Sequence, residues 1–203
     1  MNIYRIESVK ETDSLSGSFF EPGGGNWAMI AQYPWGGAYR PEARARVETS
    51  GEALVVTLCA REESIHAAQT RFGGAVCIDS CLEFFVNPCP AAGDAYINIE
   101  GNPRGTLHIG IGLGRANRRV LEVMPEGMNL SVSKHAGSWW ALRYYLPFAL
   151  LQKWTGHPCE AHMAANFYTC DESIHPHFGT WSPVKAPQPD FHRPECFGRL
   201  DFA

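Results

Sequence analysis

Two glutamates stand in neighbouring runs of alternating apolar and polar residues, and this alternation could place both on one face of a sheet. Glu83 lies in the run that begins at residue 82, and Glu100 ends the run that begins at residue 95. Paired carboxylates suit glycoside hydrolysis, which uses two acids across a sugar-binding cleft. Each glutamate could instead be exposed, or pair with Arg104 or Arg143. A small glycoside-active enzyme using Glu83 and Glu100 therefore stays open as an alternative.

The histidines raise the question of a metal site, and the tightest group is His175-Pro-His177 with His192. The proline favours an extended backbone, so the first two rings could point to one side. A metal centre needs three or four convergent ligands, however, and no cysteine or carboxylate stands at a telling spacing. Loop histidines commonly hydrogen-bond backbone groups instead. The sequence therefore assigns no metal ligands.

Aromatic residues in the loops give a more distinctive signal. Trp181 lies in a long proline-rich stretch, and Trp35 and Tyr39 lie in the other long loop. An exposed indole suits sugar binding, because the C–H face of a pyranose stacks on the ring while amides and carboxylates bind the hydroxyls. The alternative is that each ring belongs to the core. The combination of Trp181 with Asn98 and the two glutamates favours a carbohydrate site.

Several common catalytic motifs are missing from the sequence. It has no G-x-S-x-G elbow, no Walker-type loop and no H-E-x-x-H pair. The glycine-rich stretch 110–114 is followed by Arg115, Arg118 and Arg119 rather than by the helix of a dinucleotide-binding unit. We interpret this stretch as a turn between strands and the three arginines as a solvated turn.

Composition narrows the fold class and the partners. The chain has 203 residues, a formal charge of −4, 19% charged and 45% hydrophobic residues, so it can form a core and is not intrinsically disordered. Its 20 glycines, 14 prolines and 12% aromatic residues favour β structure over a helical bundle. The slight negative charge gives no reason to expect nucleic acid as a partner.

The cysteines and the lack of recognisable targeting signals lead to an expectation for the cellular compartment. The seven cysteines are odd in number and form no C-x-x-C pair, which favours free thiols in a reducing compartment. The chain begins without the apolar segment of a signal peptide, and no apolar run reaches the ~18 residues of a transmembrane helix, so no membrane contact is expected. We expect a cytoplasmic protein if Met1 is the natural start, and otherwise an extracellular one within a larger secreted system.

These residues must be positioned by strands, because the periodicity along the chain is mostly of two residues. About ten short alternating runs, separated by glycine, proline and asparagine, predict one all-β domain over residues 1–203, an antiparallel, jelly-roll-like β-sandwich. Pro147–Trp154, followed by Gly156, predicts at most one short helix. Residues 20–41 and 175–194 are predicted to be long irregular loops that carry function or cover a sheet edge.

Longer motifs resemble the family 9 carbohydrate-binding modules, specifically the family 9-like branch. The resemblance rests on five segments in order along the chain, namely residues 79–88 (DSCLEFFVNP), 96–100 (YINIE), 166–170 (NFYTC), 178–183 (FGTWSP) and 190–200 (DFHRPECFGRL). It implies a non-catalytic β-sandwich that binds a mono- or oligosaccharide from plant polysaccharides such as xylan or cellulose. It also implies a glycoside hydrolase as partner and a structural calcium ion.

The resemblance also implies roles for individual residues. Trp181 matches one of two tryptophans that clamp a sugar, and Glu83 matches the acidic residue that binds its hydroxyls. Asn98 falls near the position of an arginine that contacts the sugar. Apart from the resemblance, the carbohydrate-binding interpretation places Glu100, Asn166 and Tyr168 on the same rim.

One part of the family pattern is missing. The second clamp tryptophan is expected just before Asp79, where this chain has Val76-Cys-Ile78. Trp35 or Tyr39 is therefore the candidate for a second stacking platform.

A third possibility follows from a related group of sandwiches, the N-terminal-type domains of dopamine monooxygenase. It implies a haem- or ligand-binding sandwich, with His162, His175 and His177 as candidate ligands.

Overall fold

The computed structural model of the protein describes residues 1–9, 25–135 and 138–203. The first part of the predicted loop over residues 20–41 lies outside these ranges. The strands are β1 (Ile3–Ser8), β2 (Ala28–Met29), β3 (Glu42–Thr49), β4 (Ala53–Arg61), β5 (Cys81–Asn87), β6 (Tyr96–Gly101), β7 (Leu107–Leu113), β8 (Asn117–Val120), β9 (Asn129–His135), β10 (Trp139–Pro147), β11 (His162–Asp171), β12 (His177–Thr180) and β13 (Gly198–Phe202). The helix α1 (Phe148–Thr155) lies between β10 and β11.

The strands form a curled sheet whose two halves face each other, which confirms the predicted all-β sandwich. The half called the front sheet has the order β8-β7-β6-β5-β11-β13, with β12 beside β11. The half called the back sheet has the order β3-β4-β10-β9, with β2 beside β3. The candidate site lies on the front sheet.

Strand β1 is an exception to the predicted antiparallel pairing. Residues 3–6 pair parallel with β13, and residues 7–8 pair parallel with β3. The strand thus crosses from the front sheet to the back sheet and joins them along one side. A strand near the chain start can pair in parallel with later strands, because the long intervening chain supplies the crossover that parallel pairing needs.

The core lies between the two sheets and follows from the alternation in each strand. Leu82, Phe84 and Val86 of β5 point into it, as do the alternate residues of β4. The rings of Phe84 and Phe167 stack at 5.2 Å between neighbouring strands of the front sheet. Every second residue of β5 therefore points to the opposite, outer face.

The helix agrees with its prediction. Proline precedes its first turn, and Gly156 ends it in the left-handed conformation with φ of 76°. Leu151 is its buried contact with the core. Within the part of the chain that the structure covers, no helix has the length and hydropathy to cross a membrane.

Two short strands lie where turns or loops were predicted. β8 contains Arg118 and pairs with β7, so the three arginines are not simply a solvated turn. β12 lies inside the stretch predicted as a loop over residues 175–194 and pairs with β11. Both strands have four residues, too few for an alternating apolar pattern to stand out.

Candidate functional site

The centre of the site is a pair of glutamates on the outer face of the front sheet. Glu83 of β5 and Glu100 of β6 are directly opposite each other, so the prediction that they share a face is confirmed. Their side chains are nevertheless covered, with exposed fractions of 2% and 6%. Two buried carboxyl groups side by side are unfavourable for stability, and such arrangements are common at functional sites.

Hydrogen bonds hold both carboxyl groups in place. The Cys170 thiol donates to Oε1 of Glu83 at 3.2 Å. Asn98 donates from Nδ2 to Oε1 of Glu100 at 2.8 Å. Gly110 faces Asn98 from β7, and a Cβ there would come within 2.5 Å of Oδ1, so the glycine leaves room for this amide.

Burial and mutual repulsion shift the titration of the pair. Burial raises the pKa of Glu83 well above its ordinary value, and the neighbouring Glu100 raises it further. Burial also raises the pKa of Glu100, while His108 and Arg118 oppose this shift.

Residues 183–197, called the roof here, cover the outer face. Phe191 stacks on Tyr168 with ring centroids 4.1 Å apart and planes 13° from parallel. Val184 and Phe197 pack in the same apolar cluster. The carboxyl pair is therefore buried by a loop rather than by a second sheet.

A cation and a neutral imidazole line the other side of the pair. Nη1 of Arg118 lies 3.4 Å from Oδ1 of Asn98 and 2.6 Å from Nε2 of His192. Burial, with the nearby Arg118, lowers the pKa of His192 to about 3. The ring is therefore neutral and can accept a hydrogen bond from the arginine, which only donates. Nδ1 of His192 also lies 2.7 Å from the Tyr96 hydroxyl.

These side chains surround a cavity of about 70 Å³ beneath the roof. Its lining comprises Cys77, Glu83, Glu100, Arg115, Arg118, Cys170, Glu172, Phe178, Pro189, Asp190, Phe191 and His192. A wider, more open groove of about 480 Å³ shares Phe178 and Pro189 with this cavity and runs past Trp35 and Ala186. The polar cavity and the apolar groove together form the candidate site.

Trp181 does not lie in this site, contrary to the expectation of an exposed indole. It is 7% exposed and packs in the core, where its ring centroid is 5.3 Å from that of Phe167. Gly198 makes room for it, since a Cβ there would come within 2.5 Å of the indole. Its backbone N–H bonds to Phe167, and the ring points into the core. A sugar cannot stack on a ring whose faces pack against protein.

Phe178, rather than Trp181, is the aromatic side chain from this segment that lines the site. It lies three residues earlier, in β12, and lines both the cavity and the groove. Cys77 also lines the cavity, at the place where the resemblance implies the second tryptophan. A thiol and a phenyl ring therefore form the walls at these two positions.

Asn166 and Tyr168 are on the outer face, where they hydrogen-bond to the roof and to the residue that precedes it. Asn166 makes two hydrogen bonds to the backbone of Ser182, one as donor and one as acceptor. The Tyr168 hydroxyl donates to the carbonyl of Phe191 at 3.1 Å. Both side chains are fully buried and do not line the cavity, so their expected place on its rim is not what this structure has.

The two candidates for a second platform lie in different places. Trp35 is half-buried, contacts Phe178 and Phe191, and donates from Nε1 to Ala186 in the roof. It lines the groove beside the cavity. The Tyr39 hydroxyl instead accepts from the backbone N–H of Glu63, in a different surface groove.

The histidines do not converge on one ligand position. His177 is buried beside Thr169, and its Nδ1 lies 2.7 Å from the carbonyl oxygen of His175. His192 instead contacts Tyr96 and Arg118. His162 begins β11, and His177 pairs with the last residue of that strand. Nine residues of extended chain place them roughly 30 Å apart. The set of His162, His175 and His177 as haem ligands is therefore wrong, and the described residues with metal-binding geometry include no histidine.

Among the described residues, the groups of His, Cys, Asp and Glu side chains with metal-binding geometry do not point to the implied calcium ion. Calcium needs several oxygen ligands. Both oxygens of the buried Asp79 already accept N–H groups, from Ala68, Gln69 and Asn102. Within the described ranges, the group of three side chains with metal-binding geometry includes two thiols, which calcium does not favour.

Sequence reasoning did not place Arg118, His192 or the acidic residues Glu172 and Asp190 in this site. Arg118 could have been found from the hairpin that follows the glycine-rich stretch 110–114, since an edge strand there points alternate residues to the outer face. The roof residues had no such signal, because a proline-rich segment without periodicity does not reveal which face it covers.

Comparisons with known proteins give a consistent result. A model of carbohydrate-binding family 9 matches residues 25–202. A structure from Bacteroides uniformis, proposed to be of a carbohydrate-binding protein, is 26% identical, with a TM-score of 0.80 and 99% of each chain covered.

Two further structures are of a family 9 carbohydrate-binding module from Caldicellulosiruptor kristjanssonii. One is a complex with glucose, with 8% identity, a TM-score of 0.66, and coverage of 100% of this chain and 96% of that one. The other is a complex with cellotriose, with 8% identity, a TM-score of 0.65, and coverage of 99% and 93%. Among curated proteins, no sequence matches this chain.

Proposed function

Because this chain belongs to carbohydrate-binding family 9, we propose that it binds a sugar without catalysis and that its sugar site is the outer-face cavity with the adjoining groove. One observation supports this location above the others. Glu83, Asn98 and Glu100 are buried on the outer face of strands whose inner face is apolar. Polar groups buried together beside a cavity suit a ligand rich in hydroxyls.

The chemistry of the cavity matches that of a neutral sugar. A hydroxyl both donates and accepts a hydrogen bond, so it can donate to Glu100 and accept from Arg118. Phe178 supplies an apolar surface for the C–H face of a ring. Asn98, which bonds to Glu100, acts as a positioning residue for that carboxyl group.

The sizes of the two spaces suggest how a ligand is divided between them. The polar cavity of about 70 Å³ is smaller than the ~300 Å³ of a typical ligand pocket, whereas the groove of about 480 Å³ is not. We infer that hydroxyls at the end of a sugar enter the polar cavity, while the rest of the ligand lies along Trp35 and Phe178.

The ligand class is proposed from the neighbours and the family. The complexes with glucose and cellotriose make β-linked glucose oligosaccharides the first ligands to test, and xylan fragments the next. A glycoside hydrolase partner, a structural calcium ion and the cellular compartment remain predictions of the family resemblance and the sequence.

Isothermal titration calorimetry with glucose, cellotriose and xylotriose tests the proposal. We expect Glu100→Gln to weaken binding about tenfold, because it replaces a carboxyl oxygen by an amide N–H group and leaves a sugar hydroxyl without its acceptor, at a cost of ~1–3 kcal/mol. Phe178→Ala is expected to weaken it through lost stacking. Glu126→Gln, an exposed glutamate on a distant loop, is the matched control.

Two results would contradict the proposed site. One is binding that neither Glu100→Gln nor Phe178→Ala changes. The other is cleavage of a chromogenic glycoside by the wild type that Glu100→Gln abolishes, which would make the carboxyl pair catalytic.

A further inference from the structure

Three ligand-bearing side chains converge at the floor of the cavity, next to the sugar-binding residues. Cys81 of β5 and Cys170 of β11 are directly opposite each other across the two strands. Glu83 follows two residues after Cys81 and therefore points to the same face. One ligand atom from each of the three lies within 4.8 Å of the other two, and Sγ of Cys170 is 3.2 Å from Oε1 of Glu83.

These separations match a tetrahedral metal site. Zinc binds thiolate at ~2.3 Å and carboxylate at ~2.0 Å, so two ligands of one ion are about 3.5 to 3.8 Å apart. The observed separations require shifts of an ångström or less. The two thiols lie on paired strands of a sheet, which fixes their spacing without any ion.

The electrostatic surroundings favour a cation. All three side chains are buried, and Glu100 lies opposite Glu83. Cys77 and Glu172 line the same cavity. Arg115 and Arg118 are the positive groups among the residues that line this cavity, which also contains Asp190. This part of the outer face is therefore rich in acidic groups that a divalent ion would neutralise.

We propose that Cys81, Glu83 and Cys170 form a binding site for a thiophilic divalent cation of the zinc type, with its remaining coordination position directed to the cavity. Two thiolates and a carboxylate are a ligand set that zinc accepts and that calcium and magnesium do not favour. Because the cavity is lined by Glu83 and Cys170, a water molecule or a ligand hydroxyl can reach the fourth position.

The proton balance of this binding is simple and involves no oxidant. The two thiols lose their protons to the buffer, and Glu83 loses one wherever its carboxyl group carries it. The bound ion and three anionic ligands leave one net negative charge, with Arg118 in the same cavity. Metal affinity should consequently rise with pH.

Cobalt titration of the full chain tests the proposal. The protein is reduced, freed of metal with a chelator, and titrated with Co²⁺ without oxygen. We expect one equivalent to produce a thiolate-to-cobalt charge-transfer band and the visible bands of tetrahedral cobalt. Zn²⁺ should remove these bands, and excess Ca²⁺ should not. The absence of a thiolate band in the wild type would overturn the proposal.

Variants assign the band to these residues. Cys81→Ser and Cys170→Ser should each weaken cobalt binding at least about tenfold. Cys89→Ser, which removes a buried thiol that is not one of the three ligands, should leave the titration unchanged. If a serine variant does not fold, Glu83→Gln keeps both thiols and should still weaken affinity. Equal affinity in Glu83→Gln and in the wild type would contradict the site.

Cellotriose titration of the chelator-treated protein separates this inference from the sugar-binding proposal. Cobalt binding without any sugar binding would leave the metal site standing and remove the proposed function. Sugar binding by a protein that gives no thiolate band would support the proposed function and overturn the metal site.

Discussion

In the central strands β5 and β6 of the front sheet, the two faces are both buried but are chemically opposite. On β5, Leu82, Phe84 and Val86 point to the inner face, whereas Cys81 and Glu83 point to the outer face. The inner face is covered by the back sheet and the outer face by the roof. Burial alone therefore does not distinguish core from site in this protein. The core and the site are distinguished by the type of side chain that is buried, apolar in one and polar in the other.

The difference has an energetic meaning. Apolar side chains on the inner face stabilise the fold in proportion to the area they bury. The outer face buries carboxyl groups, which is unfavourable unless they are hydrogen-bonded or paired. We therefore expect substitutions on the inner face to change stability, and those around the outer-face cavity to change binding.

The largest expected effect is on the inner face, at Phe167. Its ring contacts Phe84, Tyr4 and Trp181 and is fully buried. Phe167→Ala should lower the free energy of unfolding by about 3 to 5 kcal/mol through lost burial and a residual cavity. Urea denaturation measures this change.

The matched outer-face variant is Glu100→Gln, which should change the free energy of unfolding by less than about 1 kcal/mol or raise it slightly. Sugar affinity should be retained in folded Phe167→Ala and weakened about tenfold in Glu100→Gln. The comparison of the two faces fails if both variants lower stability equally.

The next largest effect on stability is expected from Glu62, a buried carboxyl group at the end of β4. Glu62 accepts hydrogen bonds from Ser80 and Trp140, and burial raises its pKa to about 7 from an ordinary 4.5. The folded state therefore binds more protons than the unfolded state between these values. The contribution of Glu62 to the free energy of unfolding should be fully present below pH 4.5. About 3 kcal/mol of it should be lost as the pH rises through 7.

Denaturation of the wild type and Glu62→Gln across pH 4 to 8 isolates this contribution. The glutamine variant lacks it, so the difference between the two curves should grow as the pH rises. Asp171 is the nearby carboxylate that raises the pKa of Glu62, and it is present in both proteins. A difference that does not depend on pH would contradict the assignment.

Local alternation explains how much of this comparison could be predicted from sequence. The strands that contain Leu54, Phe84 and Ile99 follow directly from apolar residues at every second position. The same alternation predicts that Glu83, Asn98 and Glu100 share the outer face. Local sequence thus accounts for the two sheets and for the floor of the site.

The roof of the site depends on contacts that local sequence does not encode. Trp181 and Phe178 lie three residues apart, and their directions are set by the pairing of β12 with β11 and by the space at Gly198. Arg118 reaches His192 across 74 residues of chain. No local pattern fixes which aromatic ring faces the core and which faces the cavity.

A substitution of Arg118 tests whether the positive charge on the outer face contributes to sugar binding. Arg118→Met removes the donor to Asn98 and His192 and the positive charge that opposes the raised pKa of Glu100. We expect sugar affinity to fall at least about tenfold, equivalent to ~1.5–3 kcal/mol. Calorimetry with cellotriose measures this.

The neighbouring Arg119 is the control, because it is exposed and alternation in β8 points it to the other face. Arg119→Met should therefore bind like the wild type. Equal losses in the two variants would show that general charge, rather than this position, is responsible.

The smallest expected effect compares two buried tyrosine hydroxyls, one on the outer face of the front sheet and one from the back sheet in the core. On the outer face, the Tyr168 hydroxyl donates to the carbonyl of Phe191 and so holds the roof. In the core, the Tyr144 hydroxyl has no hydrogen-bond partner among the described residues. Tyr168→Phe leaves a carbonyl unpaired and should cost about 0.5 to 1.5 kcal/mol, whereas Tyr144→Phe removes an unpaired group and should be neutral or stabilising. Denaturant midpoints of the two variants measure the difference. A greater loss in Tyr144→Phe would mean that the core, rather than the roof, depends on a buried hydroxyl.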